Sequence, residues 1–196
     1  MCAKVQADTG AVLVHPYDDD RIIAGQATAA KELLEEVPDL DAILAPVSGG
    51  GLLSGSCLSA RHMRPEIRMF GCEPAAANDT YLSMKTGELQ TMEASDTIAD
   101  GLRASLAPRT FAILRRELAG VLLVSEAEII ETMRLIWERM KIVVEPSSSI
   151  VLAPLLKEGR AANLQLAERA DGQAAKIGLI LSGGNVDLRA LPFNAA

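Results

Sequence analysis

Along this chain, short apolar runs alternate with longer stretches in which apolar residues recur every three or four positions. The short runs are Ala11–Val14, Ala42–Val47, Ile67–Cys72, Val121–Val124 and Ile177–Leu181. Their length and content suit buried strands. Helical spacing fills Ile23–Val37, Gly51–Met63, Arg109–Leu118, Glu126–Met140 and Ser147–Leu156. The alternation predicts an α/β fold, a largely parallel sheet flanked by helices. One helix start is signed directly, because Ser125 and Glu128 make an S-x-x-E capping box. Ile129, Ile130, Met133, Ile136, Trp137 and Met140 then form one apolar face, which assigns Trp137 to packing.

Two strand ends carry unusual corners. The run Ala42–Val47 stops at Ser48, and Gly49, Gly50 and Gly51 lead straight into a helix beginning with Leu52. A helix N-terminus presents unpaired N–H groups and the positive end of the macrodipole, so it attracts a phosphate. Glycines let the backbone come close to such a ligand. The segment lacks the G-K-[ST] ending of a P-loop and the G-x-G-x-x-G spacing of a dinucleotide fingerprint. A tight turn with no ligand is the alternative for this segment alone. The stretch IGLILSGGNVDL, Ile177 to Leu188, repeats the arrangement with Ser182, Gly183, Gly184 and Asn185. Two such corners at carboxyl ends of parallel strands would face one ligand crevice. On this reading Gly50→Val places a side chain in the space of the ligand's phosphate.

Composition narrows the partners. The 196 residues allow one domain with a real core. A net charge of -7 argues against nucleic acid and against an anionic membrane surface. A bound phosphate must therefore be held largely by backbone N–H groups. No apolar run approaches the roughly 18 residues of a membrane span, and no secretory leader is visible, so a cytoplasmic protein is expected. Cys2, Cys57 and Cys72 form no CxxC pair, which suggests neither a zinc site nor a disulfide framework. His15, before Pro16, reads as a turn or core histidine rather than a general base. Asp100, in TIADG, reads as a loop-organising carboxylate.

The two glycine corners together resemble the fold-type II pyridoxal-phosphate enzymes, specifically their serine/threonine dehydratase and serine racemase branch. HPYDDDRIIAGQAT (His15–Thr28), GCEPAAAND (Gly71–Asp79), TIADGL (Thr97–Leu102), WERMKIVVEPSSS (Trp137–Ser149) and LSGGNVDL (Leu181–Leu188) follow in that family's order. The resemblance implies a tryptophan synthase β-like architecture. Residues 1–14 would be the end of a small domain, and 15–196 a cofactor-binding large domain lacking its N-terminal part. Ser48, Gly49, Gly50, Gly51 and Leu52 match the loop that cradles the cofactor phosphate. Ser182 matches the serine that hydrogen-bonds the pyridine nitrogen, and a hydroxyl there does not hold that nitrogen protonated. Glu145 matches an acidic residue near the cofactor ring. Glu73, Ala77 and Asp79 match a divalent-cation site, and two carboxylates with a backbone carbonyl offer hard oxygen ligands to Mg²⁺, Ca²⁺ or Mn²⁺. A solvated acidic loop is the alternative.

The implied reaction is β-elimination of a hydroxy amino acid to a 2-oxo acid and ammonia. Serine racemase or hydroxyaspartate dehydratase activity is the alternative within the branch, and a non-catalytic phosphate-ligand-binding or partner subunit is the alternative outside it. The family holds its cofactor through a lysine in an early S-x-K-x-R-type segment. Lys4, Lys31, Lys85, Lys141, Lys157 and Lys176 all lack that context. The expectation is a C-terminal part of such an enzyme with no catalytic residue of its own, paired with a second copy or a companion chain.

Overall fold

The computed structural model describes residues 1–92, 95–156, 164, 166 and 172–193. Four strands, β1 (Ala42–Pro46), β2 (Arg68–Pro74), β3 (Gly120–Val124) and β4 (Ile177–Leu179), form one parallel sheet in the order β3-β2-β1-β4. Helices α1 (Cys2–Thr9) and α2 (Asp20–Glu36) precede β1. After it come α3 (Gly51–Met63), α4 (Asp79–Thr86), α5 (Pro108–Glu117), α6 (Glu126–Met140), α7 (Pro146–Ser149) and α8 (Ala153–Leu156).

The central strand β1 is buried throughout, and its side chains alternate between two cores. Ile43 and Ala45 face a cluster with Ala30 and Leu34 of α2, Leu53, Cys57 and Ala60 of α3, and Leu114 of α5. Ala42 and Leu44 face a second cluster with Phe70, Val124, Ile129 of α6, and Ile150 and Val151. Helices therefore cover both faces, as the sequence pattern predicts. Ile43, Leu44 and Leu53 are fully buried, and each contributes about 1.5–3 kcal/mol.

The capping box forms as expected. The Ser125 N–H donates to Glu128 Oε2 at 2.8 Å and the Glu128 N–H to Ser125 Oγ at 3.4 Å. Trp137 packs edge-on against Phe193 and donates its indole N–H to the Val144 carbonyl at 2.9 Å.

Two expectations are corrected and one helix is added. Ala11–Val14 is not a strand; it is an exposed arm without regular structure after α1, which itself buries no residue. The expected helix Ser147–Leu156 is broken into α7 and α8, because Pro154 has no N–H to offer Ile150 and its ring crowds that carbonyl. Helix α4 is absent from the hydrophobic pattern because the face it buries is polar, namely Asp79, Thr80 and Ser83. Among the described residues no helix is long and apolar enough to cross a membrane.

Candidate functional site

The chain steps outward from β1 through β2 to β3, then returns to place β4 on the other side of β1. This reversal makes a switch point at the carboxyl ends of β1 and β4, where ligand crevices open in such sheets. A pocket of about 290 Å³ lies there. Ser48, Gly49, Gly50, Gly51, Leu52, Glu145 and Ser182 all line it, together with Pro16, Tyr17, Gln26, Gly101, Leu102 and Ser147. Sequence reasoning gives the second group no role, because nothing in their spacing says that these loops meet.

The glycine corner is shaped by its neighbours as much as by the space above it. Gly50 adopts φ 85° and precedes the first turn of α3 without a capping side chain. The N–H groups of Gly51 and Leu52 consequently find no acceptor among the described residues. A Cβ at Gly50 would lie 2.6 Å from Leu106 Cδ2 and 3.0 Å from Thr110 Cβ. It would point into the packing above α5, so the expectation that a Gly50 side chain enters the pocket is corrected. Gly49 and Gly51 serve a different contact. A Cβ at Gly49 would meet the Tyr17 ring at 2.4 Å, and one at Gly51 would meet Tyr17 Cβ at 2.9 Å. The glycine loop is thus held between Tyr17 and the Leu106–Leu114 region.

Tyr17 is itself fixed by its turn. His15 Nδ1 accepts from the Asp18 N–H at 2.9 Å, and the His15 and Tyr17 rings meet edge to face at 4.7 Å. His15 is therefore a turn histidine, as expected. Gly49→Ala is expected to lower the melting temperature by driving a methyl group into the Tyr17 ring. Tyr17→Ala in the same chain should recover part of that loss. Strictly additive losses in the double variant would show that the ring does not limit residue 49.

The opposite wall joins three loops. Ser147 Oγ accepts from the Gly101 N–H at 3.0 Å. The Glu145 carboxylate accepts from the Asn185 N–H at 2.8 Å, just beyond Ser182. Ser48 adopts φ 55°, and its hydroxyl accepts from the Ala104 N–H at 3.4 Å. Asp100 accepts from the adjacent Gly101 N–H at 3.0 Å, an organising role within its own turn.

Glu73, at the end of β2, caps α4 from a distance. Its carboxylate accepts from the Thr80 N–H at 3.0 Å and the Tyr81 N–H at 2.9 Å. Burial pushes its carboxyl up to about 7 against those hydrogen bonds, and Asp79 adds repulsion. Burial also raises the Asp79 carboxyl. Asp79 Oδ2 is buried without a hydrogen-bond partner among the described residues. The structure thus brings Glu73 and Asp79 together with Ala77 in the turn between them, while no group of three or more His, Cys, Asp or Glu side chains that could hold a metal exists among the described residues. Cys57 and Cys72 are buried, and desolvation raises both thiols, which makes them poor nucleophiles.

Comparison with known proteins places this geometry. The family profile described as pyridoxal-phosphate dependent enzyme matches residues 1–183. The β-hydroxyaspartate dehydratase of Paracoccus denitrificans is 44% identical over 192 residues, covering 98% of this chain and 58% of that protein. The structure of maize serine racemase superposes with a TM-score of 0.88 at 41% identity, covering 95% of this chain and 56% of that one. The solved threonine deaminase of T.th. gives 0.86 at 40% identity, covering 96% and 65%. The chain thus spans little more than half the length of the curated relative it matches. With a parallel sheet, a glycine corner at its switch point and these matches over nearly its whole length, the chain belongs to the pyridoxal-phosphate dependent enzymes, in the fold-type II branch of serine/threonine dehydratases and racemases.

Proposed function

We propose that this chain forms the cofactor-phosphate side of an enzyme that eliminates the β-hydroxyl of a small hydroxy amino acid, releasing a 2-oxo acid and ammonia. The supporting observation is the uncapped start of α3, whose Gly51 and Leu52 N–H groups lie at the same pocket as Ser182. These residues fit pyridoxal phosphate. The pocket offers unpaired donors, bare glycine backbone and hydroxyl groups, with a helix dipole that favours a dianion. When bound, that cofactor supplies an electron sink conjugated to the α-carbon of the amino acid.

The chain's own residues bind and orient. Ser48, Gly49, Gly50, Gly51 and Leu52 would hold the phosphate. Ser182 would hydrogen-bond the pyridine nitrogen without contributing a charge. Tyr17 lies against the glycine loop, with its ring over Gly49. The test is an absorbance titration of the purified chain with pyridoxal phosphate. Saturable binding displaced by inorganic phosphate is expected. Binding that neither saturates nor responds to phosphate would overturn the reading.

Serine racemase activity is the second reading, favoured by the maize neighbour. Hydroxyaspartate dehydratase activity is favoured by the bacterial relative. Chiral product analysis beside a 2-oxo acid assay separates racemisation from elimination, and hydroxyaspartate as substrate separates the two dehydratases. A non-catalytic binding subunit is the third, supported by the lack of a lysine among the described residues lining the pocket.

The same reading assigns a divalent cation, Mg²⁺, Ca²⁺ or Mn²⁺, to Glu73, Asp79 and the Ala77 carbonyl. The unpartnered Asp79 Oδ2 and the repulsion between the two carboxylates support it. Waters would complete the shell. Chelation is expected to lower the melting temperature and excess Mg²⁺ or Ca²⁺ to restore it, the cation adding about 2.7 kcal/mol of stability at a hundredfold excess over Kd. Asp79→Ala should abolish the response. A wild-type melting temperature indifferent to chelator would leave Glu73 as a helix cap alone.

A second copy or a companion chain, with a small amino acid as substrate, belongs to this proposal too. Met1, Val5, Val12, Leu13 and Val14 expose apolar surface on the N-terminal arm, which favours self-association. The free cysteines Cys2, Cys57 and Cys72 accord with a reducing, cytoplasmic location.

A further inference from the structure

We propose that Glu145 is the positioning residue for Ser182. The loop Ser182–Asn185 has no helix or strand of its own, and Ser182, Gly184 and Asn185 are exposed. Strand β4 before it is only three residues long. Packing therefore does little to decide where the Ser182 hydroxyl stands. Attachment to the segment Val143–Glu145 does.

That attachment has three parts. The Glu145 N–H donates to the Gly183 carbonyl at 3.1 Å. Glu145 Oε2 accepts from the Asn185 N–H at 2.8 Å. The backbone between these two bonds lies directly on its support. A Cβ at Gly183 would come within 2.9 Å of Glu145 Oε1, and one at Gly184 within 2.5 Å of the Val143 carbonyl oxygen. The loop is thus wrapped around one carboxylate and bonded to residue 145 on both sides. Only the carboxylate bond depends on the side chain, so residue 145 controls how firmly the loop is tied.

The role deepens the cofactor reading for what Ser182 does, but the tie itself is a property of the chain alone. Two measurements follow. In the ligand-free chain, Glu145→Ala should lower the amide order parameters of Ser182, Gly183 and Gly184 from about 0.85 to below about 0.6, while those of β1 and α3 stay unchanged. Glu145→Gln keeps an oxygen acceptor and should restore the rigid values. In titrations with pyridoxal phosphate, Glu145→Ala should weaken binding about tenfold, which is about 1.4 kcal/mol. Ser182→Ala combined with Glu145→Ala should cost no more than the larger single loss, because one residue acts through the other.

Unchanged order parameters in Glu145→Ala would overturn the proposal whatever the binding shows. Equal loss of order in Glu145→Gln would also overturn it, since the acceptor would then not be the cause. Losses in binding that simply add would overturn the action through Ser182. If loop order falls as expected but the wild-type chain binds no pyridoxal phosphate, the tie stands and the cofactor reading fails.

Discussion

The purified 196-residue chain is expected to release no 2-oxo acid from L-serine or L-threonine at an enzyme-like rate. Elimination needs an amine that moves the α-proton, and this family uses a lysine for it. Among the described residues no lysine lines the pocket. Lys31 is paired with Glu35 on the outer face of α2, and Lys176 with Asp39. Lys141 donates to the Glu138 carbonyl at the end of α6, and Lys85 lies over the Tyr81 ring on α4. Lys4 stands on the exposed α1, and Lys157 lies outside the described residues. A positioned general base contributes about 10²–10⁴-fold by itself. Adding a chain that carries the S-x-K-x-R-type segment should therefore raise turnover by at least that factor. The check is a 2-oxo acid assay with and without that chain. Robust turnover by the lone chain would show that one of its own lysines reaches the site.

The second large effect is on stability. Gly50→Val is expected to lower the melting temperature by roughly 4–20 °C, taking about 2–4 °C per kcal/mol for a chain of this size. A left-handed backbone costs a residue with a Cβ about 1–2 kcal/mol. Forcing that side chain against Leu106, Thr110 and Leu114 costs about 1–3 kcal/mol more. Gly87→Val separates the two contributions. Gly87 has φ 77°, but a Cβ there meets only the flexible end of Arg115 at 3.5 Å. It should show the backbone cost alone. Equal losses at the two positions would show that contact with Leu106 and Thr110 adds nothing. A stable Gly50→Val chain with lost ligand binding would restore the view that the side chain enters the pocket.

This reversal at Gly50 illustrates what a linear sequence leaves open. That a glycine is needed after Ser48 is legible from the strand, the corner and the helix that follows. Which way its missing side chain would point depends on Leu106 and Thr110, more than fifty residues away. The same holds for Tyr17, whose ring explains Gly49 and whose Cβ and backbone explain Gly51, but which nothing local connects to them. Glu73 is a third case. In the sequence it reads as an oxygen ligand, yet in the fold it also supplies the acceptors that start α4. That helix has no apolar stripe of its own to announce it.

By itself, the sequence determined the four strands of the sheet and the long helices between them, the capping box at Ser125, the buried β1, and the two serine–glycine corners. All of these rest on interactions within a few residues: periodic side-chain burial, local hydrogen bonds and backbone freedom. Only the tertiary structure decided that β4 lies beside β1, which puts the two corners in the one crevice expected of them, and that Tyr17 and Glu145 pack against them there. Strand order is set by which faces bury best against the whole set of helices. That is a property of the assembled cores and is not carried by any one segment.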